Sequence, residues 1–344
     1  MNILLLHRPK SASDYHRIYN PFRYLPLESG EHIEYKTDDE QYTTGEFKNT
    51  DLVIFNRHPT VDLDILLEMK KRYGFKMWVD IDDIWELYEH HYLYETWTKN
   101  KIADLILKSI TNADIVTVTN QRLFRRVSDI NKKCIVIPNA LPIGHEQFKS
   151  EKTEASRLRF MYSGGPSHQY DLESIKDFFT MVNMNVNFKI KTKFILAGFN
   201  SNYKEKALHE MNDVMKISPS YSTRDALSLN RYMEHYNYTD VALAPLEHNQ
   251  FNYFKSNLKI IEAGCMKTPV MASRLFPYLE DEEMENSGIY FCDKPSDWFA
   301  KARTLMENMN LVLDDGERLH EYVKRKYDLL KVNLLRRQLI NSFK

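Results

Sequence analysis

The sequence predicts an α/β protein of two domains, each a βα array folded around a parallel sheet. Three observations carry this reading. The chain has 344 residues, more than one core usually holds, since domains run to roughly 150 residues each. Short apolar runs rich in β-branched and aromatic residues recur without strict alternation, as strands buried on both faces do. Helix-like segments lie between them, and strand–helix alternation through a whole chain implies parallel sheets.

In the first array the expected strands are 2–6, 52–55, 76–79, 115–118 and 134–137, with helices at 63–73, 99–112 and 121–131. The polar segment 149–156 then marks a domain boundary. In the second array the expected strands are 159–162, 193–197, 241–244, 269–272 and 289–291, with helices at 172–182, 256–266 and 298–309. A final helical stretch, 316–344, carries Leu329, Leu330, Leu334, Leu335 and Leu339. The expected domains are therefore 1–148 and 149–327, with 328–344 packing back on the first.

Composition narrows the partners. Apolar residues make up 43% and charged residues 28%, an ordinary globular balance. Lys plus Arg number 47 against 48 Asp plus Glu, which provides no global pull toward nucleic acid or anionic lipid. The three cysteines, Cys134, Cys265 and Cys292, lie far apart in apolar runs and read as buried thiols of a reducing compartment. No Cys/His spacing points to zinc. The opening MNILLLHRPK is too short an apolar run for a signal peptide, and no run reaches the ~20 apolar residues of a membrane helix. A cytoplasmic protein with no integral membrane segment is expected.

Ligands of open parallel sheets bind beyond the carboxyl ends of the strands. In the first array those positions hold His7 and Arg8, then Asn56, Arg57 and His58, then Asp80, Asp82 and Asp83, then Thr119, Asn120 and Asn139. In the second they hold Gly164, Gly165 and His168, then Gly198, Pro245 through His248, and Ser273. Part of this polarity is what any loop carries.

The segment DVALAPLEHNQFNYFKSNLKIIEAGCMKTPVMAS, 240–273, is the most informative. A buried strand leads through a polar loop to a helix expected from Ser256, and Lys255, Lys259 and Glu262 fall at i, i+4 and i+7 on one face. Free amides at a helix start, with lysines nearby, suit a pyrophosphate. A carboxylate two turns along can accept hydrogen bonds from ribose hydroxyls. The competing reading is an amphipathic surface helix with a solvated Lys/Glu face.

In order, Pro245, Leu246, Phe251, Asn252, Lys255, Ser256, Lys259, Glu262, Ala263, Pro269, Val270, Ala272 and Ser273 resemble a known signature, PL…FNxxKSxxKxxEA…PVxAS. It belongs to the large family 4-like group of retaining glycosyltransferases of GT-B fold. Supporting similarity lies in ADIVTVTNQRL with CIVIPNAL (113–141), RFMYSGGPSHQYDL (159–172) and GIYFCDKPSDW (288–298). The resemblance implies two facing Rossmann-like domains with an interdomain cleft. It implies transfer of a sugar from a UDP- or GDP-linked donor to a hydroxyl, with retention and with no metal or other cofactor. By it, Glu262 holds the donor ribose, while Gly164, Gly165, Ser256 and nearby amides hold the phosphates. Relatives carry Arg and Lys after the first strand of this domain; here His168, Lys255 or Lys259 must supply that charge. Phe254 stands where many relatives carry a glutamate against the donor sugar, which leaves Asn252 or the loop amides as the replacement. Lys267 occupies a usual glycine position, where a left-handed backbone would cost roughly 1 kcal/mol. The general look is closest to members from bacterial surface-polysaccharide clusters and phage genomes, so acceptor glycans, lipid-linked glycans and modified nucleic-acid bases are all acceptor classes to test. An inactive sugar-nucleotide binder is a further reading, because of Phe254.

KMWVDIDDIW, 76–85, admits several roles. Asp82 and Asp83 can act as acceptor-side carboxylates, one taking or orienting the hydroxyl proton. Carboxylates two apart can instead share a divalent cation. A phosphatase reading makes Asp80 the nucleophile and Asp82 the acid, and the plainest reading is a helix cap. His16 and Arg17 after the first strand, with Arg57 after the second, are the acceptor-side candidates; a solvated basic face is the alternative. The basic amphipathic stretch 121–133 offers peripheral contact with anionic lipid or nucleic acid, against the simpler reading of a solvated helix face.

Overall fold

A computed structural model describes residues 1–38, 40, 42–43 and 45–344. The described residues form two six-stranded sheets. They divide into two compact units, Met1–Pro142 with Phe254–Ser256 and Tyr327–Lys344, and Ile143–Tyr253 with Asn257–Lys326. The chain thus changes units after Pro142, ahead of the polar segment 149–156.

The strands of the first unit are β1 (Asn2–His7), β2 (His32–Thr37), β3 (Leu52–Asn56), β4 (Lys76–Ile81), β5 (Ile115–Val118) and β6 (Cys134–Val136). They lie in the order β2-β1-β3-β4-β5-β6, every neighbour parallel. Ile3, Leu5, Ile54 and Trp78 pack with Leu329, Val332, Leu339 and Ile340 of the terminal helix Leu329–Asn341, whose start is capped by Asp328.

The second unit holds β7 (Leu158–Ser163), β8 (Thr192–Ala197), β9 (Tyr221–Arg224), β10 (Val241–Ala244), β11 (Val270–Ser273) and β12 (Ile289–Cys292). Their order is β12-β11-β10-β7-β8-β9, again all parallel. The winding direction reverses between β1 and β3 in one sheet and between β7 and β10 in the other, and such switch points open a crevice for ligands.

All ten strands expected from apolar runs are present. The two that apolar runs miss, β2 (HIEYKT) and β9 (YSTR), are both sheet edges with largely part-exposed residues. An edge strand has one open flank and can carry part-exposed polar residues, and these two do, so no apolar run announces them. The long terminal helix expected over 316–344 is two helices, Met309–Tyr327 and Leu329–Asn341, broken at the Asp328 cap. Gly264 lets the first of these approach closely: a Cβ there would lie 2.9 Å from the Leu319 carbonyl oxygen.

Candidate functional site

In the first unit two arginine–aspartate clamps stand at the strand ends. Arg17, on the helical segment 12–23, donates from Nε to Asp80 Oδ1 (2.8 Å) and from Nη2 to Asp80 Oδ2 (2.8 Å). Its remaining donors reach the Asn139 Oδ1 (3.0 Å) and the Ile137 carbonyl (2.9 Å). Thr117 Oγ1 donates to Asp80 Oδ2 at 2.6 Å while accepting from the Trp78 indole at 2.8 Å. The Arg17 side chain is 1% exposed, so the expected contact with acceptor is corrected: Arg17 is spent inside the fold. The Asp80 nucleophile falls for the same reason, because both oxygens already accept from buried donors. The mate of this clamp in a metal reading, Asp82, is also clamped.

Arg57 donates from Nε to Asp82 Oδ1 (2.7 Å) and from Nη2 to Asp82 Oδ2 (2.9 Å), and Asn56 Nδ2 donates to Asp82 Oδ1 (3.0 Å). The same Nη2 reaches Asp83 Oδ2 at 3.2 Å. Arg57 takes a left-handed φ of 61°, a conformation costing roughly 1–2 kcal/mol for a side-chain-bearing residue, and its amide is fixed by the Asp80 carbonyl at 2.8 Å. Burial pushes the Asp82 carboxyl upward, but the Arg57 charge and hydrogen bonds outweigh it and hold the group well below the usual carboxylate range. Asp83 goes the other way: burial and the neighbouring Asp82 charge raise it against the pull of Lys255 and Arg57. Burial and the charge of the adjacent Arg17 bring His16 down to about 4, so its imidazole is neutral near pH 7. Two adjacent carboxyls with opposite shifts is an arrangement suited to moving a proton.

Lys255 and Ser256 also belong to this unit. Asn139 Nδ2 donates to Ser256 Oγ at 2.7 Å, and Asn120 Nδ2 donates to the Phe254 and Lys255 carbonyls at 3.0 and 3.2 Å. The helix expected from Ser256 is Leu258–Cys265. Lys255 is therefore not on the helical face of Lys259 and Glu262, and neither Lys255 nor Ser256 stands at the helix start as expected. The reason is tertiary: Asn120 and Asn139, from the ends of the first sheet, bind the Phe254–Ser256 stretch ahead of the helix.

In the second unit the turn after β7 is Gly164-Gly165. A Cβ on Gly164 would lie 2.8 Å from the Tyr162 hydroxyl oxygen, so glycine is required by close approach rather than by φ. From the helix Leu258–Cys265, Lys259 Nζ donates to the Ser163 carbonyl at the end of β7 and lies 5.3 Å from the Tyr162 ring centroid. One turn on, Glu262 accepts from the Tyr232 hydroxyl (2.8 Å) and the Tyr236 hydroxyl (3.3 Å). Burial raises the Glu262 carboxyl, opposed by the Lys259 charge and both tyrosines. Lys259, Glu262 and the glycine turn thus converge on the β7–β10 switch point.

Beside them His168 Nδ1 and Asp171 Oδ2 are 2.7 Å apart. Asp171 Oδ1 accepts from the Glu247 amide (2.9 Å) and from Asn252 Nδ2 (2.6 Å), which also donates to the Glu247 carbonyl (3.0 Å). This corrects the catalytic role expected for Asn252: both of its N–H groups are used to shape the loop after β10. Sequence reasoning missed Asp171, Tyr232 and Tyr236. Two tyrosines four residues apart just before a buried strand were the only local sign of the latter pair.

Among the described residues no group of three His, Cys, Asp or Glu is placed to hold a metal ion, and no helix is long and apolar enough to cross a membrane. No family model matches the sequence, and no curated protein matches it. Solved structures do match. Sucrose-phosphate synthase from Thermosynechococcus elongatus is 12% identical, with 99% of this chain and 98% of that one covered at a TM-score of 0.72. HepE of Anabaena in complex with UDP and glucose is 11% identical, covering 99% and 100% at a TM-score of 0.71. Trehalose-6-phosphate synthase from E. coli, bound with UDP-2-fluoro glucose, is 9% identical, covering 100% and 99% at a TM-score of 0.65. At such identities the likeness speaks for the fold, and on that ground the chain has the GT-B fold that these glycosyltransferases share.

Proposed function

We propose that the chain is a glycosyltransferase that moves a sugar from a nucleoside-diphosphate sugar, UDP-linked in preference to GDP-linked, to a hydroxyl acceptor. The observation that carries this is the convergence of the Gly164-Gly165 turn, Lys259 and Glu262 on one switch point. There the turn amides and the ammonium suit a diphosphate, and the tyrosine-held carboxylate suits ribose hydroxyls. UDP in the matched HepE and E. coli structures favours uracil as the base.

In the proposed reaction the acceptor oxygen bonds to the anomeric carbon as the bond from that carbon to the diphosphate oxygen breaks, and the diphosphate leaves with the electron pair. The first unit is the acceptor side in this reading. Asp83, whose carboxyl is raised, takes the hydroxyl proton, and Arg57 with the ionised Asp82 holds Asp83 in place. Chemistry without a metal is proposed because Asp80 and Asp82 each already hold an arginine, whose charge opposes a cation there. Retention is proposed from the signature of the second domain.

The test is release of nucleoside diphosphate from a panel of nucleotide sugars, with and without EDTA, by the wild type and Glu262→Ala. EDTA-resistant release from one donor, with its KM raised about 10- to 100-fold in the variant as expected for a lost charged hydrogen bond, supports the reading and names the sugar. Absence of both turnover and binding across the panel sinks it.

A further inference from the structure

The second unit carries a second concentration of charge, away from the strand ends. Along β7 and β8 the side chains of Phe160, Tyr162, Phe194 and Leu196 enter the core. By the alternation of a pleated strand, Arg159 and Lys193 point to the opposite face. On that side a cavity of about 490 Å³ is lined by Glu154, Arg157, Arg159, Lys193, Arg224 and Tyr238, among others. Its volume is within the usual range for a small-molecule site, roughly 300–1,000 Å³.

The four cations are not equivalent. Arg159 is committed: its Nε and Nη2 donate to Asp240 at 2.9 and 2.8 Å, and its other donors hold Thr153. Arg157 donates to the Ser220 hydroxyl at 2.8 Å, and the Arg224 guanidinium lies 3.6 Å from the Tyr238 ring centroid. Among the described residues none of Arg157, Lys193 and Arg224 pairs with a carboxylate. Elsewhere in this unit Arg231, Arg274, Arg318 and Arg325 each hold one. Three uncompensated cations around one concavity attract an anion, and guanidinium groups favour the planar two-point contact that phosphate offers. Glu154 is the one carboxylate in the lining; as an acceptor it suits hydroxyl groups carried by the same ligand.

We propose that this cavity is a binding site for a phosphate monoester of a polyhydroxylated small molecule, its phosphate held by Arg157, Lys193 and Arg224 and its hydroxyls by Glu154. It is separate from the site at the strand ends: five residues of β-strand from Arg159 to Gly164, at ~3.3 Å each, set them ~16 Å apart. The inference does not depend on the glycosyltransferase reading.

Isothermal titration of the full chain with ribose 5-phosphate, inorganic phosphate and ribose tests it. The expected result is saturable binding of ribose 5-phosphate below about 1 mM, weaker binding of inorganic phosphate and none of ribose. Lys193→Gln with Arg224→Gln should weaken binding at least about tenfold with an unchanged melting temperature, and Lys193→Gln alone serves if the pair unfolds. Glu262→Ala should leave this binding unaltered. Loss in Glu262→Ala but not in the Lys193 and Arg224 variants would put the ligand at the strand ends and overturn the proposal. So would inorganic phosphate binding as tightly as the ester, or no saturable binding at all.

Discussion

The strand ends of the two units handle charge in opposite ways. In the first, charge meets charge: Arg17 clamps Asp80 and Arg57 clamps Asp82, each through two parallel hydrogen bonds. In the second, Lys259 and Glu262 are held by uncharged groups of the fold. Lys259 donates to a backbone carbonyl, and Glu262 accepts from two tyrosine hydroxyls. A clamped pair cancels its own field and stabilises or stiffens the fold. A charge held by neutral groups keeps its field for a ligand. On this contrast the first unit's clamps are scaffold around Asp83, while in the proposed reading Lys259 and Glu262 of the second unit are the groups that meet the donor.

The largest effect is expected from Arg17→Met, which leaves Asp80 buried without its counter-charge. It should cost about 3–5 kcal/mol in urea unfolding; a loss below 1 kcal/mol would show that the clamp is not structural. Next is Asp83→Asn, expected to lower kcat about 100-fold with stability nearly unchanged. The sign of the pH dependence follows from the raised Asp83 carboxyl: the group must be ionised to accept a proton, so kcat falls as pH drops through its folded pKa. That limb should lie above the ordinary value near ~3.9 and vanish in the variant. An unchanged limb assigns it to another group.

Gly164→Ala tests the turn. Its Cβ would meet the buried Tyr162 hydroxyl, and a loss of about 2 kcal/mol is expected, partly recovered by adding Tyr162→Phe. Failure of that rescue in thermal melts would put the strain elsewhere. Glu262→Gln keeps its carbonyl as acceptor for one tyrosine, lets its amide donate to the other hydroxyl and removes the charge, so donor KM should rise about tenfold while the unfolding midpoint stays within experimental scatter. A large stability loss instead would class Glu262 with the clamps. The smallest effect is Lys267→Gly. Lys267 has a left-handed φ of 52°, and relief of that strain, offset by losing the part-exposed bridge to Glu317, should stabilise by about 0.5 kcal/mol.

Legibility in the sequence differed by element. Each strand in a sheet interior was visible as an apolar run, and the Gly164-Gly165 turn and Glu262 were visible as punctuation around such runs. Lys255 and Ser256 were not placed correctly, although Lys259, four residues on from Lys255, was. Local spacing put Lys255 on the helix, whereas Asn120 and Asn139, more than a hundred positions earlier in the chain, hold that stretch away from it. Asn252 was read as chemical because Phe254 stands where relatives carry a glutamate; Asp171, on the helix Gln169–Glu173, takes its amide instead.

From its residues alone the chain reads as α/β with two sheets, because burial of a strand or helix is written in the periodicity of its own residues. Which charges meet an opposite charge is set by the packing of distant segments. Arg17 and Asp80 lie 63 positions apart, and nothing local records such a pairing. Parallel winding gathers the carboxyl ends of strands from across the chain at one edge of the sheet, and it is there that partners are chosen.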